Sequence, residues 1–344
     1  MKKILSLMFA LMLVLAGCGA QGTTSTDKKG EFANPEHTKD EPQVVEKEQT
    51  PVSFKVIAPA GMPALSMVRL FVDKPEIKNA TISYETVDSA DVLAASLIKH
   101  EADVAIVPTN LAATLYAKGA GYKVAGSSVW GILYIASTED IKSLEDLKGK
   151  TISLWGKGLT PDAMLRFVLT ENGIDPEKDV KLEYFSTVEE LATNYLAGKS
   201  TVSMIPQPVL TNVLMKSEKS KVAINLQDEW KKITKLDKYP QTSLIISDKL
   251  AASNPVVVRD FLYAYDDAVD WVNQNPAEAG KYYESLGIGL KAPIIEKAIP
   301  QSNLDFVFVN DDKDSINKYL EVLYKFNPKL TGEKEIDDGL YSKI

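Results

Sequence analysis

Shifted by 98 residues, the chain falls on a second copy of itself, and any fold must accommodate that repeat. Pro63 meets Pro161, and each opens an amphipathic segment, residues 64–70 in one copy and 162–168 in the other. Proline is favoured at the first helical position, where the amide it lacks would have no partner anyway. Asp88 meets Ser186, both suited to cap a helix, and Leu93 meets Leu191 on the helix that follows. The apolar run Val104-Ala105-Ile106-Val107-Pro108 meets Val202-Ser203-Met204-Ile205-Pro206, and each run ends in proline before another helical stretch.

Both copies alternate strand and helix three times, which places the chain in the α/β class and predicts parallel sheets with helices on their faces. We therefore expect two Rossmann-like lobes with a ligand cleft between them. Lobe 1 takes residues 52–132 plus 244–344, and lobe 2 takes 133–243. After a strand at 243–247, helices are expected at 255–271, 276–286, 294–299 and 315–326. This last third has no partner in the repeat and is expected to pack back on lobe 1. The chain then crosses between lobes twice, near residues 130–136 and 239–246.

Ahead of the repeat, Lys2 and Lys3 precede an apolar run at 4–15, the layout of an export signal and too short to span a bilayer. Residues 1–17 are read as a signal peptide ending in Leu15-Ala16-Gly17-Cys18, which resembles the bacterial lipobox, so Cys18 is the expected lipidation site. Residues 18–51 are rich in Gly, Thr, Lys, Asp, Glu and Gln and lack periodicity, as a disordered tether would. Such a tether reaches about 30 Å as a flexible coil. His37 falls in it and is read as inert. The formal charge of −8 becomes −10 once Lys2 and Lys3 leave with the signal, which argues against a nucleic-acid partner. With Cys18 as its one cysteine and only His37 and His100 as histidines, the chain cannot build an internal disulfide or an ordinary zinc site, and no metal or cofactor is expected.

In open parallel sheets, ligands sit outside the carboxyl ends of the strands, where the next helices present their amino termini. Four loops occupy such positions: Gly61-Met62-Pro63-Ala64, Pro108-Thr109-Asn110, Trp155-Gly156-Lys157-Gly158-Leu159-Thr160 and Pro206-Gln207-Pro208. Glycine lets backbone amides approach a ligand closely. Trp130 with Gly131, Trp155 and Tyr239 are candidate aromatic walls beside these loops, whereas Trp230 and Trp271 sit at helical spacing and read as packing residues.

The lipobox, the duplicated lobes, the Gly-Met-Pro-Ala and Gly-Lys-Gly-Leu-Thr-Pro loops and Tyr239-Pro240-Gln241 together resemble the substrate-binding lipoproteins of ABC importers. The similarity is to the nitrate, sulfonate, taurine and thiamine-precursor group, over residues 52–330. It implies a type II periplasmic-binding-protein fold, an ABC permease and its ATPase as partners, a small-molecule ligand, and a monomer lipid-anchored on the outer face of the cell membrane. Members of that group often carry an acid between the two prolines, where this chain has Gln207. Arg69, Arg166 and Arg259 all lie in expected helices, which leaves Lys157 as the cation of the loops. The loops and tryptophans point to a flat, largely neutral heteroaromatic solute, pyrimidine-like or a thiamine precursor. A sulfonate- or nitrate-type anion is the alternative. An enzyme of the pyrimidine-synthase kind is disfavoured, because the body has no cysteine and only His100, at the polar end of a helix. Asp266 with Asp267 and Asp311 with Asp312 are adjacent pairs that face apart. A sensory binding module is the remaining rival.

Overall fold

The computed structural model describes residues 51–344. The expected signal peptide, Cys18, His37 and the tether up to residue 50 lie outside the described residues. No helix among the described residues is long and apolar enough to cross a membrane.

Among the described residues, eleven strands form two sheets. In chain order they are β1 (Val52–Pro59), β2 (Ala80–Val87), β3 (Val104–Pro108), β4 (Tyr122–Trp130), β5 (Leu133–Ser137), β6 (Thr151–Trp155), β7 (Lys181–Phe185), β8 (Val202–Pro206), β9 (Lys221–Asn225), β10 (Pro240–Ser247) and β11 (Leu304–Phe308). The first sheet runs β2-β1-β3-β10-β4-β11 and the second β7-β6-β8-β5-β9. The 98-residue repeat is visible strand for strand: β3 and β8 occupy matching positions in the chain and in their sheets. The helix caps correct one expectation. Ser89 accepts from Val92 N and Thr187 accepts from Glu190 N, each one residue beyond the expected Asp88 and Ser186 and still 98 apart.

The sheets are mixed, not parallel as expected. β10 lies antiparallel between β3 and β4, and β5 lies antiparallel between β8 and β9. The reason is topological. β4 ends at Trp130 and β5 starts at Leu133 beside Pro206, the carboxyl end of β8. β10 starts at Pro240 beside Trp130. Each strand that arrives from the other lobe therefore enters at the carboxyl ends of its neighbours and must run against them. Register fixes the same ends of both sheets face to face.

The carboxyl-terminal segment adds β11, antiparallel to β4, and three long helices, Pro255–Gln274, Pro276–Ser285 and Val309–Phe326. The last begins six residues before the expected start, because Asn310, Asp311 and Asp312, which look like capping residues, form its first turn instead. One face of the first sheet packs on helix Pro255–Gln274 through Phe54, Phe261 and Tyr265. The other face belongs to a core that continues through the crossing into lobe 2. There half-buried Phe167 and buried Trp230, Tyr239 and Tyr319 form an aromatic column with successive centroids 5.5, 5.4 and 5.5 Å apart. Trp230 is a packing residue as expected, and Trp271 stacks on Tyr282 at 5.2 Å.

Beside the crossing, Asp312 is 2% exposed and neither carboxylate oxygen has a hydrogen-bond partner. Burial pushes its carboxyl up to about 7, with Ser127, Ser315 and Lys238 opposing only in part and Asp305 adding to the rise. The folded state thus holds a proton that the unfolded chain releases at a lower pH. That contribution is fully present below the ordinary carboxyl range and is lost as pH rises through about 7.

Two outcomes are expected. Gly131 leaves no room for a side chain, since a Cβ would stand 2.5 Å from Gln227 Oε1 and 2.5 Å from the Tyr239 ring. Gly131→Ala should lower unfolding free energy by about 1–3 kcal/mol in denaturant titration, and an unchanged midpoint would refute the close packing. For Asp312, the melting temperature of the wild type should fall between about pH 4 and pH 7, and Asp312→Asn should remove most of that fall. Parallel pH profiles of the two proteins would show that Asp312 carries no such penalty.

Candidate functional site

The four loops follow the carboxyl ends of β1, β3, β6 and β8, the ends of the two sheets that lie toward the crossing. On lobe 1, β1 turns at Gly61, whose φ of 102° lies in the left-handed region that only glycine enters freely. The short helix Met62–Ser66 follows, with Pro63 in its first turn. Gly61 and Pro63 are half-buried, while Met62 and Ala64 pack into the lobe 1 core. Gly61 N–H already donates to Tyr283 Oη at 3.0 Å. At the end of β3, Thr109 is buried and shares a 2.9 Å hydrogen bond with Ser243 Oγ. Asn110 is half-buried, and its Nδ2 donates to Leu330 O at 3.4 Å.

On lobe 2, β6 ends at Trp155, which is half-buried and packs against core residues on both faces of its sheet. Gly156 and Gly158 then turn with φ of 73° and 74° into helix Thr160–Glu171. Lys157 is exposed, with Nζ 5.4 Å above the Tyr184 ring. Gly158 and Thr160 are half-buried. Asp162, 2% exposed in the first turn of that helix, accepts from Gly158 N at 2.8 Å, from Arg166 Nε at 2.7 Å and from Tyr184 Oη at 2.8 Å. Burial works against the Arg166 charge, yet hydrogen bonds to Glu177, Tyr184 and Asp162 outweigh it and raise the pKa of the guanidinium. The helix amino terminus thus already holds a carboxylate from its own chain, neutralised from behind.

Gln207, in a loop whose Gln207–Pro208 peptide is cis, is 2% exposed. Its Oε1 accepts from Thr211 Oγ1 at 2.8 Å and from Thr211 N at 3.3 Å, and its Nε2 donates to Gln301 Oε1 at 3.1 Å.

The remaining candidates sit in the crossing itself. Trp130 is 1% exposed, its Nε1 donates to Asp305 O at 2.7 Å, and Lys238 Nζ lies 4.1 Å above its ring. Lys238 is also paired with Asp305. Gly131 N donates to Gln227 Oε1 at 2.7 Å. Tyr239 is fully buried, with its ring stacked on Tyr319 at 20° and tilted against Trp230. Thus Gly61, Pro63, Asn110, Trp155, Lys157, Gly158 and Thr160 keep exposed surface at the strand ends, and Trp130, Gly131 and Tyr239 pack in the crossing between the lobes. Gln301 and Asn303, which donates to Gly131 O at 2.6 Å, were not legible as part of this region, because polar residues in an unpatterned turn carry no signal. Among the described residues, no cluster of three or more His, Cys, Asp or Glu is placed to hold a metal ion. His100 is exposed and stacks on Tyr122 at 5.8 Å.

A family model described as NMT1/THI5 like matches residues 84–279. No curated protein matches the chain in sequence. Among solved structures, an ABC transporter from Parabacteroides distasonis is 25% identical with a TM-score of 0.75, over 85% of this chain and 99% of that one. The periplasmic aliphatic sulphonate binding protein SsuA from Escherichia coli is 15% identical with a TM-score of 0.68, over 84% and 91%. The periplasmic nitrate-binding protein NrtA from Synechocystis PCC 6803 is 12% identical with a TM-score of 0.58, over 81% and 82%. The two-lobed fold of these binding proteins is the fold of this chain.

Proposed function

The chain belongs to the NMT1/THI5-like family, and from that premise we propose that it is an extracytoplasmic solute-binding protein of an ABC importer, not an enzyme. Its lobes, residues 52–132 with 244–344 and residues 133–243, close on a small ligand and present it to the permease and its ATPase. Closure is a population shift, so the ligand must touch both lobes to favour the closed state. Cys18 carries the lipid that keeps the protein at the outer face of the membrane, where acyl burial contributes about 0.8 kcal/mol per CH₂.

The ligand is a flat, largely neutral solute with hydrogen-bonding edges, pyrimidine-like in size. The observation that carries this reading is that a glycine amide in each of the two loops is already occupied within the chain: Gly61 N–H on Tyr283 Oη and Gly158 N–H on the Asp162 carboxylate. An anion seeking the amino terminus of helix Thr160–Glu171 would find Asp162 already seated on the Gly158 amide. In this reading Trp155 offers an aromatic face beside that loop, and Pro63, Asn110 and Thr160, each half-buried, supply further contacts. A ligand held near 1 μM needs about −8 kcal/mol, within reach of one stacked ring and several hydrogen bonds. Exposed Lys157 favours a second reading, a sulfonate- or nitrate-type anion held by its ammonium at the rim.

Native mass spectrometry of the purified protein followed by thermal-shift screening separates the two readings. Pyrimidines and related heteroaromatics should raise the melting temperature, and stabilisation by sulfonates or nitrate alone would overturn the neutral-ligand reading. With the best stabiliser from that screen, Trp155→Ala should weaken binding about tenfold, the loss of a stacking contact worth about 1–3 kcal/mol. Its thermal midpoint without ligand should change little. A large stability loss with unchanged affinity would make Trp155 a packing residue only.

A further inference from the structure

Gln301 lies in the short turn Ile299–Gln301 that leads into β11 of the first sheet, and it is exposed. Its two oxygens nonetheless both take hydrogen bonds from lobe 2. The backbone carbonyl accepts from Tyr134 Oη at 2.8 Å, and the side-chain Oε1 accepts from Gln207 Nε2 at 3.1 Å. Tyr134 belongs to β5 and Gln207 follows β8, so a single residue of the first sheet's appendage is gripped at two points on the second.

The direction of the Gln207 bond is not open to choice. The amide oxygen and nitrogen of glutamine are alike in shape and are told apart by their partners. Thr211 N–H can only donate, so the oxygen of Gln207 must face it, and the Thr211 hydroxyl donates to that same oxygen. Gln207 is therefore locked with its Nε2 toward Gln301, and position 301 must offer an acceptor. The Tyr134 contact is equally committed, because burial pushes that phenol up to about 12 and keeps it a donor at neutral pH.

We propose that Gln301 is a closure latch, a positioning residue that holds the two lobes together by accepting from the Thr211-oriented amide of Gln207 and from Tyr134, without touching the ligand. The proposal rests on the reading that the lobes open and close, and it is independent of which solute binds. It separates the energy of closing into a ligand part and a part built into the chain, so that the free protein spends a fixed fraction of its time closed. That fraction sets apparent affinity for any ligand that selects the closed form.

The body of the chain has no cysteine, so a label pair can be placed at will. Asp88 and Ser186 are exposed at the cleft ends of β2 and β7, one on each lobe. In full-length protein carrying Cys18→Ser, Asp88→Cys and Ser186→Cys, spin labels report the inter-lobe distance distribution without ligand. Three variants at 301 distinguish a latch from a mere surface contact. Gln301→Met keeps the shape and removes the acceptor, and should shift the ratio of short to long distances about fivefold toward long. Gln301→Lys offers only donors to a fixed donor and should open the protein at least as far. Gln301→Glu keeps the acceptor and should hold the wild-type distribution or tighten it. Distributions for Met and wild type that coincide, or a Glu variant as open as Met, would overturn the latch. Neither result depends on the thermal-shift screen, so failure of the latch and failure of the neutral-ligand reading are distinguishable.

Discussion

Each sheet of this protein is completed by a strand that comes from the other lobe. β5 arrives from lobe 1 and lies in the second sheet between β8 and β9, and β10 arrives from lobe 2 and lies in the first sheet between β3 and β4. Both are interior strands, hydrogen-bonded on both edges, so neither can slide without breaking ladders on two sides. The links between lobes that precede them are Gly131-Ile132 and the stretch from Lys235 to Tyr239. Those links carry the tightest packing and the densest aromatic contact described here. Lys238 lies over Trp130, Tyr239 over Tyr319, and Gly131 against both Tyr239 and Gln227.

The same constraint explains the division of labour among the aromatic residues. Trp130 and Tyr239 flank the crossing in sequence, as cleft walls would, and no property of an isolated tryptophan or tyrosine distinguishes a ring waiting for a ligand from one stacked on its own hinge. What separates them is the partner supplied from far along the chain, Asp305 for Trp130 and Tyr319 for Tyr239. Trp155, packed at the edge of two core clusters, remains half-buried. Charge is arranged on the same principle. Asp162 satisfies the loop before its own helix and is answered by Arg166 and Tyr184 from behind, which leaves the lobe 2 rim with Lys157 but without free loop amides at Gly158.

Much of the fold was legible because the repeat keeps its register where chemistry is strict. Proline ending β3 and β8 and leucine at 93 and 191 hold the offset, and so do the hydroxyl caps, which fall at 89 and 187, one residue beyond the expected positions. Strand direction was not legible, since an apolar run reads the same for a parallel and an antiparallel neighbour. The start of helix Val309–Phe326 was missed for a related reason: Asp311 and Asp312 look like capping residues, yet Asp312 turns inward and is buried without a partner. The loops at the carboxyl ends of the strands were legible through their glycines and prolines. The contacts that join the lobes across Gln301 and Asn303 were not, because they depend on where an irregular turn is carried by β11.

The exchange of strands also imposes an order on folding. Residues 133–225 contain every strand of the second sheet, so that sheet can form as soon as they are available. The first sheet cannot: its β3 and β4 are made early but remain apart until β10, more than a hundred residues later, fills the gap between them. The amino-terminal half of lobe 1 must therefore wait, with apolar strand edges unpaired, while the later lobe assembles ahead of it. Closing that gap is a long-range event with a large loop entropy, the kind of step that slows folding. For a chain of this design, the lobe that begins first in sequence is the one completed last.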